Sequence, residues 1–161
     1  MDIQNEMMKK AIQQAVNAKM ADEVPVGAVI VSGSTLLGEG FNSNISLQDP
    51  TAHAEILALR KACEYLNNYR LPDAEVYVTL EPCLMCFHAL VQARVKKIYI
   101  GARDPKGGFS VFFSEEQMEK LNHRPEIEFG VMEETCAEMI KLFFKEKRVR
   151  GKRKWLRATK Q

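Results

Sequence analysis

The sequence predicts an α/β fold in three layers, with helices covering both faces of one central sheet. Three observations carry this. Short apolar runs alternate with segments that repeat their apolar residues every three to four positions. The elements follow the order α-β-β-α-β-α-β-β-α, and strands interleaved with helices bury a sheet between two helical layers. The chain has 161 residues, with no internal repeat and no Pro-, Gly- or Ser-rich linker to set off a second domain.

Each element has its own signal. Residues 3–20 place Ile3, Met7, Met8, Ala11, Ile12, Ala15 and Val16 on one stripe, as in an amphipathic helix. Gly27–Val31 is an apolar run for a buried strand, and Ser32-Gly33-Ser34 turns it into a second strand over Thr35–Phe41. Asp49-Pro50-Thr51 predicts a helix start, with the helix running to about Leu66. Val76–Leu80 is a strand, and Pro82 opens a helix to about Arg94. Lys97–Gly101 and Ile127–Gly130 are further strands. The last helix carries Cys136, Met139, Ile140, Phe143 and Phe144 at i, i+3, i+4, i+7 and i+8, predicting all five on its buried face.

Composition narrows the class. Hydrophobic residues make up 46% and charged residues 27%, which excludes a disordered chain. No run approaches the roughly 18 apolar residues of a membrane span. The opening MDIQNEMMKK lacks the order of a signal peptide. A cytoplasmic location is therefore expected, where disulfides rarely persist. Cys63, Cys83, Cys86 and Cys136 then read as metal ligands or buried apolar residues.

Charge is unevenly spread. Nine of the 23 basic residues but one of the 21 acidic residues fall in Lys145–Gln161, leaving 14 bases against 20 acids elsewhere. An acidic body with so basic an end points to a polyanionic partner. The expected division is a domain over residues 1–148 and a basic C-terminal tail over 149–161.

Two segments carry chemistry, Thr51-Ala52-His53-Ala54-Glu55 and Glu81-Pro82-Cys83-Leu84-Met85-Cys86. Each follows a loop and opens a helix. Cys83 and Cys86, three apart, share one face of a first turn. His53 and Glu55, two apart, both reach one site only if they lean over the end of a helix. The site is therefore expected off the ends of two helices. His53, Cys83 and Cys86 suit zinc, for which three protein ligands and a water make a catalytic site and four ligands a structural one. His88 lies roughly opposite the Cys83/Cys86 face, and Cys63 lies roughly 15 Å along the helix from His53 at 1.5 Å per residue. Neither completes the set, so the fourth place is left to water, with Glu55 as the proton carrier.

His-x-Glu followed by Pro-Cys-x-x-Cys resembles the pattern of the zinc deaminases. The resemblance extends through Glu23-Val24-Pro25-Val26-Gly27-Ala28, Gly40-Phe41-Asn42, Asp49–Glu55, Tyr69-Arg70-Leu71, Tyr77–Cys83, Gly101-Ala102-Arg103-Asp104 and Leu121-Asn122-His123-Arg124. Together these are similar to the bacterial tRNA-specific adenosine deaminases over about residues 5–148. That family implies a three-layer α-β-α, cytidine-deaminase-like fold on a central mixed five-stranded sheet. It implies hydrolytic conversion of adenosine to inosine at wobble position 34 of a tRNA anticodon, one zinc per subunit, and a homodimer. By position, His53, Cys83 and Cys86 would hold zinc and Glu55 would move protons. Asn42, Val26, the backbone of Ala54, Asp104 and Lys106 would meet the nucleotide. Apart from the resemblance, the charge of the C-terminal end itself points to Lys147, Arg148, Arg150, Lys152, Arg153 and Lys154 as phosphate contacts, with Trp155 placed to stack on a base.

Two positions depart from the family pattern. Lys106-Gly107-Gly108-Phe109-Ser110-Val111-Phe112-Phe113 replaces a run of small residues, and Phe87 and His88 replace small residues on a helix face expected at the dimer interface. Two other readings stay open. One is a deaminase of free guanine or cytidine. The other is a non-catalytic RNA-binding module stabilised by a four-ligand zinc.

Overall fold

A computed structural model describes residues 2–160 of the chain. Helix α1 spans Ile3–Met20, β1 Gly27–Ser32, β2 Thr35–Phe41, α2 Asn44–Leu47 and α3 Ala54–Leu66. Then follow β3 Glu75–Leu80, α4 Leu84–Gln92, β4 Lys97–Ala102, α5 Phe109–Phe112, α6 Glu115–Glu119, β5 Glu126–Phe129 and α7 Glu133–Ala158.

The five strands form one sheet in the order β2-β1-β3-β4-β5. Strand β1 runs antiparallel to both β2 and β3, whereas β3, β4 and β5 are parallel. The sheet is mixed, as the family resemblance implies. Side chains alternate between faces with the period of two that a pleated strand imposes. Ala28, Ile30, Val76, Val78, Ile98 and Ile100 pack towards α3 and α4. Val29, Val31, Tyr77 and Tyr99 pack towards α1 and α7. The three predicted layers follow from this alternation.

The topology also gathers the site. With β1 reversed, strands β2, β3 and β4 all point the same way and end at one edge of the sheet, where β1 begins. Gly27 stands opposite Phe41, and Leu80 opposite Ala102. Ligand sites of open α/β sheets lie outside such carboxyl ends. Val26, Asn42, Cys83 and Asp104 are each within three residues of that edge.

Helix α3 is held unusually close to its sheet. Ala54, Ala58 and Ala62 form a fully buried stripe, and they face Gly38 and Gly40 of β2. A Cβ at Gly38 would collide with the backbone of Ala58 and Ala62, and one at Gly40 with that of Ala54 and Ala58. The sheet here meets helix backbone rather than side chains.

Three expectations need correction. The third helix begins at Ala54, not at Asp49-Pro50-Thr51, because the Asp49 carboxylate accepts from the Thr51 N–H at 2.8 Å and its hydroxyl at 2.7 Å and so closes a turn ahead of the helix. Helices α2, α5 and α6 were not read from the sequence, being only four or five residues long. Phe144 is 40% exposed rather than core, because α7 has run past the sheet after Phe143. Every described residue beyond Phe143 is exposed, and the helix continues through the basic segment to Ala158.

Candidate active site

The two chemical segments meet where the sequence places them, at the N-termini of two helices. His53 is the N-cap residue of α3 and Cys83 that of α4, both with extended backbone that swings the side chain over the helix end. Cys86 lies in the first turn of α4 and is buried. His53 Nδ1 lies 3.5 Å from Cys83 Sγ and 3.4 Å from Cys86 Sγ. One donor atom from each of the three residues falls within 4.8 Å of the others. Among the described residues no fourth His, Cys, Asp or Glu joins the set; Cys63, His88 and the Glu55 carboxylate all stand outside it.

The electrostatics suit a cation. The hydrogen bond from Cys86, joined by that with His53, lowers the Cys83 thiol to about 4 against burial. The same bond, with burial, raises Cys86. His53 is raised, first by its bond to Cys83. Two helix N-termini add positive potential that favours thiolates. One imidazole and two sulfurs converging on one point, with room for another ligand, fit the donor set of a catalytic zinc site.

Glu55 sits beside this set, in the first turn of α3, with 4% of its surface exposed. Burial pushes its carboxyl up to about 7. A carboxyl poised there both accepts and returns a proton near neutral pH.

A cavity of about 100 Å³ opens over these groups. Of the residues predicted from the sequence, Val26, Asn42, His53, Glu55, Cys83 and Asp104 line it, and Val24, Leu80 and Glu81 complete the wall. Asn42 and Ala54 are joined directly: the Ala54 N–H donates to Asn42 Oδ1 at 2.9 Å. This bond ties the end of β2 to the start of α3 and leaves the Asn42 amide N–H groups for the cavity. Asp104 Oδ1 accepts from the backbone N–H of Lys106 at 3.1 Å and of Gly107 at 3.0 Å, which shapes its turn. Lys106 is not on the cavity. It lies on an adjoining groove with Lys141, Phe144 and Arg148, which Asp104 also borders.

Lys147, Arg148, Lys152, Arg153 and Lys154 are exposed along α7. Arg150 differs, since it pairs with Asp22 at 3.1 Å. Gln161 lies outside the described residues. His123 serves structure, its Nε2 bonded to the Val95 carbonyl at 2.7 Å. Burial pushes the Cys136 thiol up to about 12, and its sulfur lies under Gly101. Phe87 is fully buried in its own chain, so it is not part of a face open to a partner; His88 on the next position is exposed.

Two further carboxylates, quoted within motifs above but given no role there, are buried. Glu23 accepts from the N–H of Ile45 at 2.6 Å and of Ser46 at 3.1 Å, holding α2. Glu81 accepts from Ser110. The available signal was an acid one or two residues before proline at the edge of an apolar strand, in Glu23-Val24-Pro25 and Leu80-Glu81-Pro82.

The fold and this site are those of a deaminase class: the sequence matches the MafB19-like deaminase family over residues 2–148. The tRNA-specific adenosine deaminase of Agrobacterium fabrum is 44% identical over 146 residues, which span 88% of this chain and 94% of the relative. That of Bacillus subtilis is also 44% identical over 146 residues, spanning 90% of this chain and 91% of the relative. A solved structure from a study of A-to-I editing by tRNA:A34 deaminases at the wobble position is 42% identical, with a TM-score of 0.77 over 83% of this chain and 98% of that one. The chain belongs to the tRNA-specific adenosine deaminase family.

Proposed function

We propose that the chain hydrolyses the wobble adenosine of a tRNA anticodon, position 34, to inosine. The observation that carries this is the convergence of His53, Cys83 and Cys86 beside the buried Glu55, in a chain of this family. In the reaction the bond from the purine C6 to its exocyclic nitrogen breaks, a bond from C6 to a water oxygen forms, and ammonia leaves. His53, Cys83 and Cys86 would hold zinc, which when bound supplies Lewis-acid activation of water at neutral pH. Glu55 takes a proton from the attacking water and delivers it towards the purine ring and the leaving amine. The Asn42 amide N–H groups and the wall at Val26 orient the nucleotide over Glu55. Asp104 borders the cavity and faces the incoming nucleotide.

The substrate reading rests on access. A base inside a stack cannot reach a cavity at a sheet edge, and extrusion costs least from a loop whose bases are already partly unstacked. Lys106 and the exposed cations of α7 offer phosphate contacts to offset that cost. A second copy of this chain is the further partner we propose, supported by exposed Ile45 and Leu47 on α2 and Leu84 and Met85 on α4, the helices flanking the site. Among the described residues no helix is long and apolar enough to cross a membrane. The reading places the work in the cytoplasm, where tRNA is found.

The test is a side-by-side comparison of substrates. Zinc-loaded protein is incubated with an anticodon stem-loop bearing adenosine at the wobble position, and separately with free adenosine, cytidine and guanine, with products resolved by mass. Inosine in the stem-loop should form far faster than any free compound reacts. Faster turnover of free guanine or cytidine would reject the assignment in favour of a free-base or nucleoside deaminase.

A further inference from the structure

The Glu81 carboxylate is only 3% exposed, and among the described residues it enters no ion pair. Its Oε2 accepts from the Ser110 hydroxyl at 2.9 Å and the Ser110 N–H at 3.2 Å. The backbone around it is tied as well. The Glu81 N–H donates to the Ala102 carbonyl at 2.8 Å, and the Phe109 N–H donates to the Pro82 carbonyl at 2.8 Å. Gly108 lies so close that a Cβ there would collide with Oε2, and Gly108 also donates its N–H to the Asp104 carbonyl at 3.1 Å. Two segments are thereby fastened together. One is Glu81-Pro82, which runs straight into Cys83. The other is the loop after β4, which brings Asp104 to the cavity.

A buried acid with neutral partners only is costly unless its bonds are worth more than its desolvation. Glu81 has no proton to move in the reaction described above, which Glu55 serves. We infer that Glu81 is a positioning residue. Its carboxylate locks the Asp104–Ser110 loop to the metal-binding turn, so that the wall meeting the nucleotide keeps a fixed distance from Cys83. Its effect falls on how well the RNA is held, not on the chemical step. Ser110 is the partner through which it acts.

The variants are Glu81→Ala, Glu81→Gln and Ser110→Ala. Zinc content, hydrogen exchange of the Lys106–Ser110 amides, and kcat and KM on the wobble stem-loop are measured for each. Glu81 also borders the cavity, so Glu81→Ala should keep its zinc, and its loss in kcat should be smaller than its rise in KM. Its KM should rise, and its loop amides exchange faster, by about tenfold or more, the scale of one hydrogen bond to a charged group. Glu81→Gln keeps an accepting oxygen and should restore most of both; Ser110→Ala should fall between. Unchanged KM and exchange in Glu81→Ala would overturn the inference. So would a fall in kcat alone, or a Gln variant as impaired as the Ala variant. If Glu81→Ala does not fold, Ser110→Ala decides by the same two readouts. The kinetic arm rests on the wobble-adenosine reading. Should the parent leave the stem-loop untouched, that reading fails, and the exchange arm still decides the role of Glu81.

Discussion

The rings of Phe87 and Phe109 lie face to face, with centroids 4.0 Å apart and planes 8° from parallel. Phe113 closes on Phe87 from the side, at 5.8 Å and 64°. Phe87 of α4 and the two phenylalanines that bracket α5, Phe109 and Phe113, are thus one packing unit. The bulk that follows Cys86 on α4 is met by the bulk of the loop and α5. The stack fastens α4, directly after Cys86, to α5.

Replacing Phe87 by Ala removes a fully buried ring next to a metal-binding residue. Denaturant unfolding should show a loss of about 3–5 kcal/mol. Adding Phe109→Ala should cost less than it does alone, because the two rings share one contact. Additive losses would mean that the stack is not a unit.

Glu55→Ala separates proton transfer from metal binding. Since the carboxylate lies outside the three-donor set, zinc content should stay near the parent level. Deamination of the stem-loop should drop by at least about 10²–10⁴-fold, the contribution of a general acid and base. Loss of zinc along with activity would make Glu55 a ligand and sink the assignment.

Metal removal tests the donor set. Prolonged chelation should abolish deamination, and zinc should restore it while magnesium should not, since two sulfurs and an imidazole favour the softer ion. The melting temperature should fall in the stripped protein and recover with zinc, because a ligand bound only by the native state stabilises it. Recovery of activity with magnesium would contradict this.

The cationic end of α7 is probed by stopping the chain after Lys147. That cut spares Phe143 and the pair between Lys19 and Glu146, and it removes the contact of Arg150 with Asp22. RNA affinity should weaken and its logarithmic salt slope should flatten by about 0.7–0.9 for each lost phosphate contact. Zinc content should not change. A slope equal to the parent's would reduce the segment to a solvated helix end.

Much of this was legible in the sequence because it is local. Strand periodicity and the Cys83–Cys86 spacing are properties of neighbouring residues, so the strands and the cysteine pair follow from them, while His53 joins that pair, and the mixed sheet follows, only through the resemblance to the deaminase pattern. What was missed depends on distant partners. Asp49 was read as a helix start, yet it spends its carboxylate on Thr51. Phe144 fits the helical stripe, but no pattern tells where the sheet beneath it ends. The bond from Ala54 to Asn42 and the hold of Glu81 on Ser110 join residues 12 and 29 apart. Nothing in either local segment announces its partner.

The glycines of β2 have a consequence for how this protein can change. Where a sheet meets helix backbone with no side chain between, exchange of core residues has nothing to re-space. Gly38 and Gly40 therefore fix His53, at the head of α3, against drift elsewhere in the interior. The same seam concentrates risk: one added methyl group at Gly40 pushes on Ala54, and through it moves the imidazole away from both sulfurs. Variation along the outer surface of α7 leaves the metal set in place, whereas change at two positions that carry no side chain at all disturbs it.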